Sequence, residues 1–161
     1  MSGPDRRLSH LGDDGAARMV DVTGKPATAR SATARGIVHT TAEVIVMIAA
    51  GGLPKGDVLA TARIAGIQAA KRTHELVPLC HQLALSGVDV DFIIGDADVE
   101  ITASVRGTDR TGVEMEALTA VSVAALTVYD MIKAVDPAAR LDGIRVLRKE
   151  GGKTGVWTPP Q

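Results

Sequence analysis

The stretch from Ala117 to Tyr129 constrains the fold of this chain most strongly, because its thirteen residues carry no charge. A helix over this stretch is apolar on nearly every face, and helices of that kind are buried all round. The stretch is too short to cross a bilayer, which takes roughly 20 residues. One sheet covers only one side of a helix, so we expect another subunit to cover the other side. A large core within one chain is the alternative, and a length of 161 residues makes it the weaker one.

The composition limits which residues can form the core and which classes of partner the chain can bind. The only aromatic residues are Phe92, Tyr129 and Trp157, so the core is built from Ala, Val, Ile and Leu. A net charge of -1 supplies no basic field for nucleic acid, and the strands offer only Phe92 for stacking on bases. Cys80 is the single cysteine, which excludes an intrachain disulfide. The polar start, residues 1–15, lacks the apolar segment of a secretory signal. The sequence therefore predicts a cytoplasmic protein without a membrane partner.

Periodicity and chain-breaking residues predict the element order β-α-α-β-β-α-β. The predicted strands are Ala32–Thr40, Leu83–Ile94, Val99–Val105 and Ile144–Leu147, and the predicted helices are Ala42–Ala50, Asp57 (the N-cap) to about Thr73, and about Glu116 to Val135. This order predicts an α+β fold, a ferredoxin-like split βαβ sandwich with an added helix, an antiparallel sheet and the helices on one face. Gly66, inside the second helix, indicates a close backbone approach. We divide the chain into a mobile N-terminal arm (1–30), a single catalytic domain (31–150) and a flexible tail (151–161).

Basic residues around the second helix are candidate anion ligands. Lys55 lies just before the helix N-terminus, where free N–H groups and the helix dipole favour an anion. Spacing alone nevertheless favours an ordinary surface lysine beside a capping turn. Arg63 and Lys71 are eight residues apart and share a rough face of the helix. Arg63 stands between apolar residues, and it either pairs with an acid in the core or binds phosphate; the pairing is favoured.

His81 lies in an irregular segment after Val77-Pro78, and a histidine on such a loop is a candidate acid or base. Cys80, His81 and His74 fit no standard zinc spacing. We therefore expect no metal site there, and we interpret Cys80 as a buried and inert thiol.

Glu114 and Glu116 precede the long uncharged helix. If this stretch is extended, both carboxylates point to one side, and their proximity raises one pKa into a range useful for acid-base chemistry. If the stretch is already helical, the two side chains diverge. Glu116 is then a favourable negative charge at a helix start.

Asp130 and Lys133 are i,i+3 neighbours at the end of the uncharged helix. An Asp beside a Lys tunes that Lys and exchanges protons with it. The alternative is a surface ion pair that contributes at most about 1 kcal/mol. Glu116 lies 14 residues before Asp130, which is about 21 Å along a helix. One small substrate does not reach both, so if both are catalytic, one must come from a neighbouring subunit.

The glycine-rich run Gly151–Gly155 (GGKTG) does not match a Walker A motif, because Leu147 stands where that motif needs a glycine. Two interpretations stay open with about equal weight. Lys153 belongs either to a mobile basic flap that folds over an anion or to a disordered tail.

Four stretches of the sequence together carry a family resemblance. They are MVDVTGK (Met19–Lys25), KGDVLATARIAGIQAAKRTHELVPLCH (Lys55–His81), TGVEMEALTAVSVAALTVYDMIKAVD (Thr111–Asp136) and GGKTG (Gly151–Gly155). They resemble the cyclic pyranopterin monophosphate synthase family, the MoaC-type proteins of molybdenum cofactor biosynthesis. The resemblance covers nearly the whole chain after the arm, and the two long motifs are highly specific.

The resemblance implies a ferredoxin-like fold and a hexamer of three dimers with the active site between subunits. It implies a lyase that converts 3',8-cyclo-7,8-dihydroguanosine 5'-triphosphate to cyclic pyranopterin monophosphate and pyrophosphate. Lys55 and Lys133 would be catalytic lysines that meet between subunits, with Asp130 as the partner of Lys133. A lysine whose pKa is depressed by neighbouring cations exchanges protons near neutral pH. The other implied site residues are His81, Glu114 and Glu116, which would contact the substrate or relay protons, and Arg30, Lys71 and Lys153, which would bind the triphosphate.

The sequence requires no cofactor, and no dedicated metal cage is visible, although Mg²⁺ can accompany the triphosphate. Two residues depart from the family pattern. Gln82 stands where Pro is usual and could loosen the loop that orients His81, and Ile132 stands where Cys is common. Neither change removes a proposed catalytic group, so we expect activity. The alternative is a catalytically silent paralogue that acts as a ligand-binding or partner-binding module.

Overall fold

The computed structural model describes residues 10–160, so the first nine residues of the predicted arm lie outside the described part of the chain. The elements are β1 (Thr28–His39), α1 (Ala42–Ala50), α2 (Val58–Lys71), α3 (Thr73–Leu76), β2 (Leu85–Ile94), β3 (Asp98–Asp109), α4 (Glu114–Ile132), β4 (Arg140–Glu150), a 3-10 helix (Gly152–Thr154) and β5 (Val156–Trp157). The predicted order is confirmed, with α3 and β5 as additions. The bounds of α1 are those predicted.

The five strands form one antiparallel sheet in the order β2-β3-β1-β4-β5. Helix α4 packs on β1, β3 and β4, and α2 packs beside it on β2. Alternate residues of β1 and β3, such as Ala34 and Ile101, are fully buried beneath these helices. The opposite face is polar and holds the Arg35–Glu100 ion pair at 3.3 Å. The ferredoxin-like fold is thereby confirmed.

Strands β1 and β4 extend further than predicted. β1 begins at Thr28 rather than Ala32, and β4 runs from Arg140 to Glu150 rather than from Ile144 to Leu147. The added residues are mostly polar or charged, and such residues are weak strand formers on their own. In β4, backbone hydrogen bonds to β1 hold these residues in a strand despite their low strand propensity. Arg140, for example, pairs with His39.

Helix α4 lies unusually close to its neighbours, because small residues face it. A Cβ on Gly66 of α2 would lie 3.0 Å from the Ala120 carbonyl oxygen, and a Cβ on Gly36 of β1 would lie 2.7 Å from Val121 Cγ1. The close approach predicted at Gly66 is confirmed. The α4 residues that are fully buried are Ala117, Ala120, Val121, Ala124, Ala125, Val128 and Ile132.

One face of α4 stays open in the single chain. Leu126 is 56% exposed, and Leu118 and Ser122 on the same face are half-buried. Within the described residues, α4 is the one helix long and apolar enough to cross a membrane, but its packing on the sheet is that of a core helix. The single chain therefore leaves open the side of α4 that we expect a second subunit to cover, and that cover stays a prediction.

We expect Gly66→Leu to lower the free energy of unfolding by about 1–3 kcal/mol, because added methylenes at this contact force α2 away from α4. Urea unfolding at fixed protein concentration measures the change. Ala60→Leu, at an exposed position of α2, is the matched control and should leave stability within about 0.5 kcal/mol. Equal stability of the two variants would contradict the close contact.

Candidate active site

Three charged side chains meet at the C-terminal end of α4, and we call them the lysine cluster. Lys55 Nζ lies 2.8 Å from Asp130 Oδ2 and donates a second hydrogen bond, of 3.0 Å, to the Asp130 carbonyl oxygen. Lys133 Nζ lies 2.7 Å from Asp130 Oδ1. Lys55 is held there by the turn before α2, where Gly56 has φ +93° and Asp57 caps the helix. Lys55 and Lys133 thus meet within one chain, and the expectation that they meet between subunits is wrong.

The carboxylate between the two lysines sets the electrostatics of the lysine cluster. Hydrogen bonds from Lys133 and then Lys55 lower the pKa of Asp130 to about 2. The same hydrogen bond from Lys133 to Asp130 raises the pKa of Lys133. The expected depression of a lysine pKa by neighbouring cations is therefore wrong for Lys133 in the single chain. About half of each side chain is exposed, so a ligand can reach all three.

A cavity of about 640 Å³ opens near the other end of α4, and we call it the basic cavity. Its lining includes the predicted residues Arg30, Glu114 and Lys153. Three further cationic residues, which were not among the predicted site residues, also line it: Lys25, Arg110 and Lys149. With Glu114 and Glu150 as the acids of the lining, five cations face two anions. The basic cavity therefore favours a ligand with several negative charges.

Glycines shape the wall of the basic cavity that carries Lys153. Gly151 has φ +106° and Gly152 φ +69°, conformations that L-residues rarely adopt. A Cβ on Gly151 would overlap the Ala29 carbonyl oxygen, and one on Gly152 would overlap the Arg30 guanidinium. Arg30 is held by hydrogen bonds to the carbonyl oxygens of residues 109 and 110, each 3.2 Å long. The 3-10 helix and β5 follow directly, so this segment is folded against the sheet.

A second cavity of about 340 Å³ adjoins the first and contains His81 and both predicted glutamates. The two cavities share Lys25, Thr111, Gly112 and Glu114 as lining residues. His81 Nε2 donates a 2.7 Å hydrogen bond to the Val20 carbonyl oxygen. Because a carbonyl only accepts, this contact orients the ring and leaves Nδ1 as the nitrogen for a ligand.

Glu116 is the most perturbed acid of the site. It is only 4% exposed, and its Oε2 has no hydrogen-bond partner among the described residues. Burial, and to a smaller extent the charges of Glu114 and Asp109, raise the pKa of Glu116 to about 7. Both glutamates lie in the first turn of α4. Of the two alternatives for this stretch, extended or helical, the helical one is therefore correct. Glu114 instead forms a 2.8 Å ion pair with Lys149.

Two of the remaining candidates, Lys71 and Arg63, lie apart from both cavities. Lys71 is exposed at the end of α2 and lines neither cavity. Arg63 donates a 2.9 Å hydrogen bond to the Val90 carbonyl oxygen and lies over the Phe92 ring, so pairing with an acid in the core is wrong. Cys80 is half-buried and lines the second cavity, so the prediction of a buried cysteine is wrong. Partial burial, and then the charge of Glu116, raise the pKa of its thiol, which disfavours the reactive thiolate. Residues 10–160 contain no group of three or more His, Cys, Asp or Glu side chains suited to a metal ion.

The two halves of the candidate site therefore lie at opposite ends of α4. From Glu116 to Asp130 the helix advances 14 residues, or about 21 Å. A substrate that contacts the lysine cluster of one chain does not reach the basic cavity of the same chain.

Comparison with known proteins identifies a family and several close relatives of this chain. A model of the MoaC family matches residues 19–152. A protein of Mycobacterium tuberculosis (strain ATCC 25618 / H37Rv), named cyclic pyranopterin monophosphate synthase 2, is 70% identical over 151 residues, which cover 94% of this chain and 90% of the relative. The cyclic pyranopterin monophosphate synthase of Streptomyces coelicolor is 61% identical, covering 96% of this chain and 91% of the relative. That of a Nocardioides species is 58% identical, covering 99% and 100%.

Proposed function

Because this chain belongs to the MoaC family, we propose that it is a cyclic pyranopterin monophosphate synthase of molybdenum cofactor biosynthesis. Its substrate is 3',8-cyclo-7,8-dihydroguanosine 5'-triphosphate, and its products are cyclic pyranopterin monophosphate and pyrophosphate. The observation that carries this proposal is the identity of 58–70% with synthases over nearly the whole chain. The reaction class that follows is that of a phosphorus-oxygen lyase, and the location is the cytoplasm.

The basic cavity suits the triphosphate part of this substrate. A cyclic monophosphate forms when a substrate hydroxyl attacks the α-phosphorus and pyrophosphate leaves with the bridging electron pair. The negative charge on the leaving group grows in the transition state, and cations placed in advance stabilise it. Arg30, Lys149 and Lys153 line the cavity where those cations are needed. We expect any Mg²⁺ to arrive with the triphosphate, because phosphates supply the oxygen ligands this ion prefers.

The ring rearrangement needs groups that give and take protons near neutral pH. Glu116, with a pKa of about 7, meets that requirement, and His81 lines the same cavity. Lys55 and Lys133 act at the reacting centre, with Asp130 holding the two ammonium groups together. When substrate displaces one of these contacts with Asp130, the freed lysine becomes available as a proton donor.

The separation of the lysine cluster from the basic cavity supports an active site made by two chains. The open face of α4 at Leu126 supplies apolar surface for a subunit contact. We propose a homo-oligomer, a hexamer of three dimers, in which the lysine cluster of one subunit completes the basic cavity of the next.

The two departures from the family pattern leave the candidate site in place. Gln82 is exposed, and the neighbouring His81 ring is fixed by the Val20 carbonyl oxygen rather than by the loop alone. Ile132 is fully buried in the core, whereas the side chains of the lysine cluster are about half exposed. We therefore favour an active enzyme over a silent paralogue.

The test is conversion of the cyclised dihydro-GTP by purified protein, with pyrophosphate and cyclic pyranopterin monophosphate both quantified. We expect the two products in equal amounts. Lys55→Met should lower turnover at least about a hundredfold, since proton-transfer groups typically contribute that much. Arg145→Met, at an exposed position in the middle of β4 that lines neither cavity, is the matched control for loss of a surface cation. Tight substrate binding without either product would favour the silent paralogue instead.

A further inference from the structure

The C-terminal segment returns along the edge of the sheet and places the single tryptophan beside the basic cavity. β5 pairs antiparallel with β4, so Trp157 lies directly opposite Lys149. The return is closed by hydrogen bonds within the glycine-rich run, from Gly151 N to Gly155 O at 3.1 Å and from Gly155 N to Gly152 O at 3.4 Å. Directly opposed residues on adjacent strands have neighbouring side chains on one face. The turn at Gly151–Gly155 therefore places Trp157 beside Lys149.

The Lys149 ammonium stands between an aromatic ring and a carboxylate. Its Nζ lies 5.7 Å from the centre of the Trp157 ring and 2.8 Å from Glu114 Oε1. The ring face is electron-rich and attracts a cation, most strongly in tryptophan. An ammonium has three N–H donors, and Glu114 takes one of them. The others remain for an anion in the cavity that Lys149 lines.

We propose that Trp157 is a positioning residue, which holds the Lys149 ammonium beside Glu114 so that it meets the phosphate groups of the substrate. A free lysine side chain has large rotamer freedom, and fixing it in advance lowers the entropy lost when an anion binds. The ring attracts the cation without taking up any N–H, unlike a second carboxylate. This role rests on the proposed function, because it assigns Lys149 to the triphosphate.

The test compares two replacements of Trp157, with inorganic pyrophosphate as the probe. Trp157→Phe keeps an aromatic face, whereas Trp157→Leu keeps apolar bulk without one. We expect Trp157→Leu to weaken pyrophosphate binding about fivefold and Trp157→Phe to stay within about twofold of wild type. In turnover, Trp157→Leu should raise KM by a similar factor with little change in kcat. Equal losses of pyrophosphate affinity in the Trp157→Phe and Trp157→Leu variants would overturn the proposal, because the tryptophan would then contribute only to packing of the hairpin.

A double-mutant cycle separates positioning from packing. In a Lys149→Met background, Trp157→Leu should have no further effect on pyrophosphate affinity, because the group that it positions is gone. If the double variant instead loses pyrophosphate affinity by the product of the two single-variant factors, the proposal is overturned. Pyrophosphate affinity is measured without turnover, so the cycle keeps its meaning if the wild-type protein fails to convert the proposed substrate. That failure would count against the proposed function alone.

Discussion

Mixed oligomers of Lys133→Met and Glu114→Gln subunits are expected to recover about a quarter of wild-type turnover, because one site in four then combines two intact halves. Each variant alone should lose at least about a hundredfold, since each removes a candidate proton-transfer or charge-stabilising group. The recovery follows from the length of α4. Its two ends lie too far apart for one chain to present both groups to one small substrate.

The matched control mixes Lys133→Met with Lys55→Met. Both lysines contact the same Asp130 carboxylate in the same chain, so no arrangement of these two variants contains an intact lysine cluster. This mixture should therefore stay inactive. Co-expression with two different affinity tags, followed by purification on both, ensures that the measured oligomers are mixed. Inactivity of the Lys133→Met and Glu114→Gln mixture, or recovery in the control, would contradict the shared site.

Glu116 should make the stability of the protein depend on pH in the direction opposite to that of an ordinary acid. Its pKa is 4.5 as an unperturbed side chain and about 7 in the folded chain. Between these values the folded chain keeps a proton that the unfolded chain has released, so stability falls as the pH rises through this window. For this difference, linkage gives a loss of about 3 kcal/mol by pH 8 relative to pH 4.5.

Glu116→Gln removes that ionisation while keeping the shape of the side chain. The constant offset between the two proteins is not informative, because the buried amide lacks partners of its own. The informative quantity is how the difference in unfolding free energy changes from pH 5 to pH 8, measured in urea at fixed protein concentration. Wild type should lose stability relative to the variant over this range. Parallel curves would show that Glu116 ionises at an ordinary pH.

The fold was predictable because its core elements carry clear periodicity. Strand β2 alternates around Val90, and α1 is bounded by Thr41, which caps it, and by Gly51 in the left-handed conformation. β5 was missed because two residues have no period of their own. That strand exists because the Gly151 turn brings Trp157 back onto β4. Close approaches at Gly36 were also missed, since a glycine in a strand has several possible causes.

The chemical groups of the site were predictable from residue type and spacing along α4, but their grouping was not. Lys55 and Asp130 are 75 residues apart, and no local pattern joins them. Lys25 and Lys149 were missed because single lysines in a loop or an exposed strand look like ordinary solvated residues. The burial of Glu116 was equally invisible, because it depends on how α4 seats against the sheet.

The position of both half-sites at the ends of one rigid helix also has a kinetic consequence. If two chains share the site as we propose, a folded monomer holds every chemical group of the site and still has no complete site. Specific activity should therefore vary with protein concentration, and it should fall on dilution as subunits dissociate, even while circular dichroism reports an intact fold. With a shared site, the population of active centres would follow the association equilibrium, and cells would set the rate of this step through the amount of protein as well as through the amount of substrate.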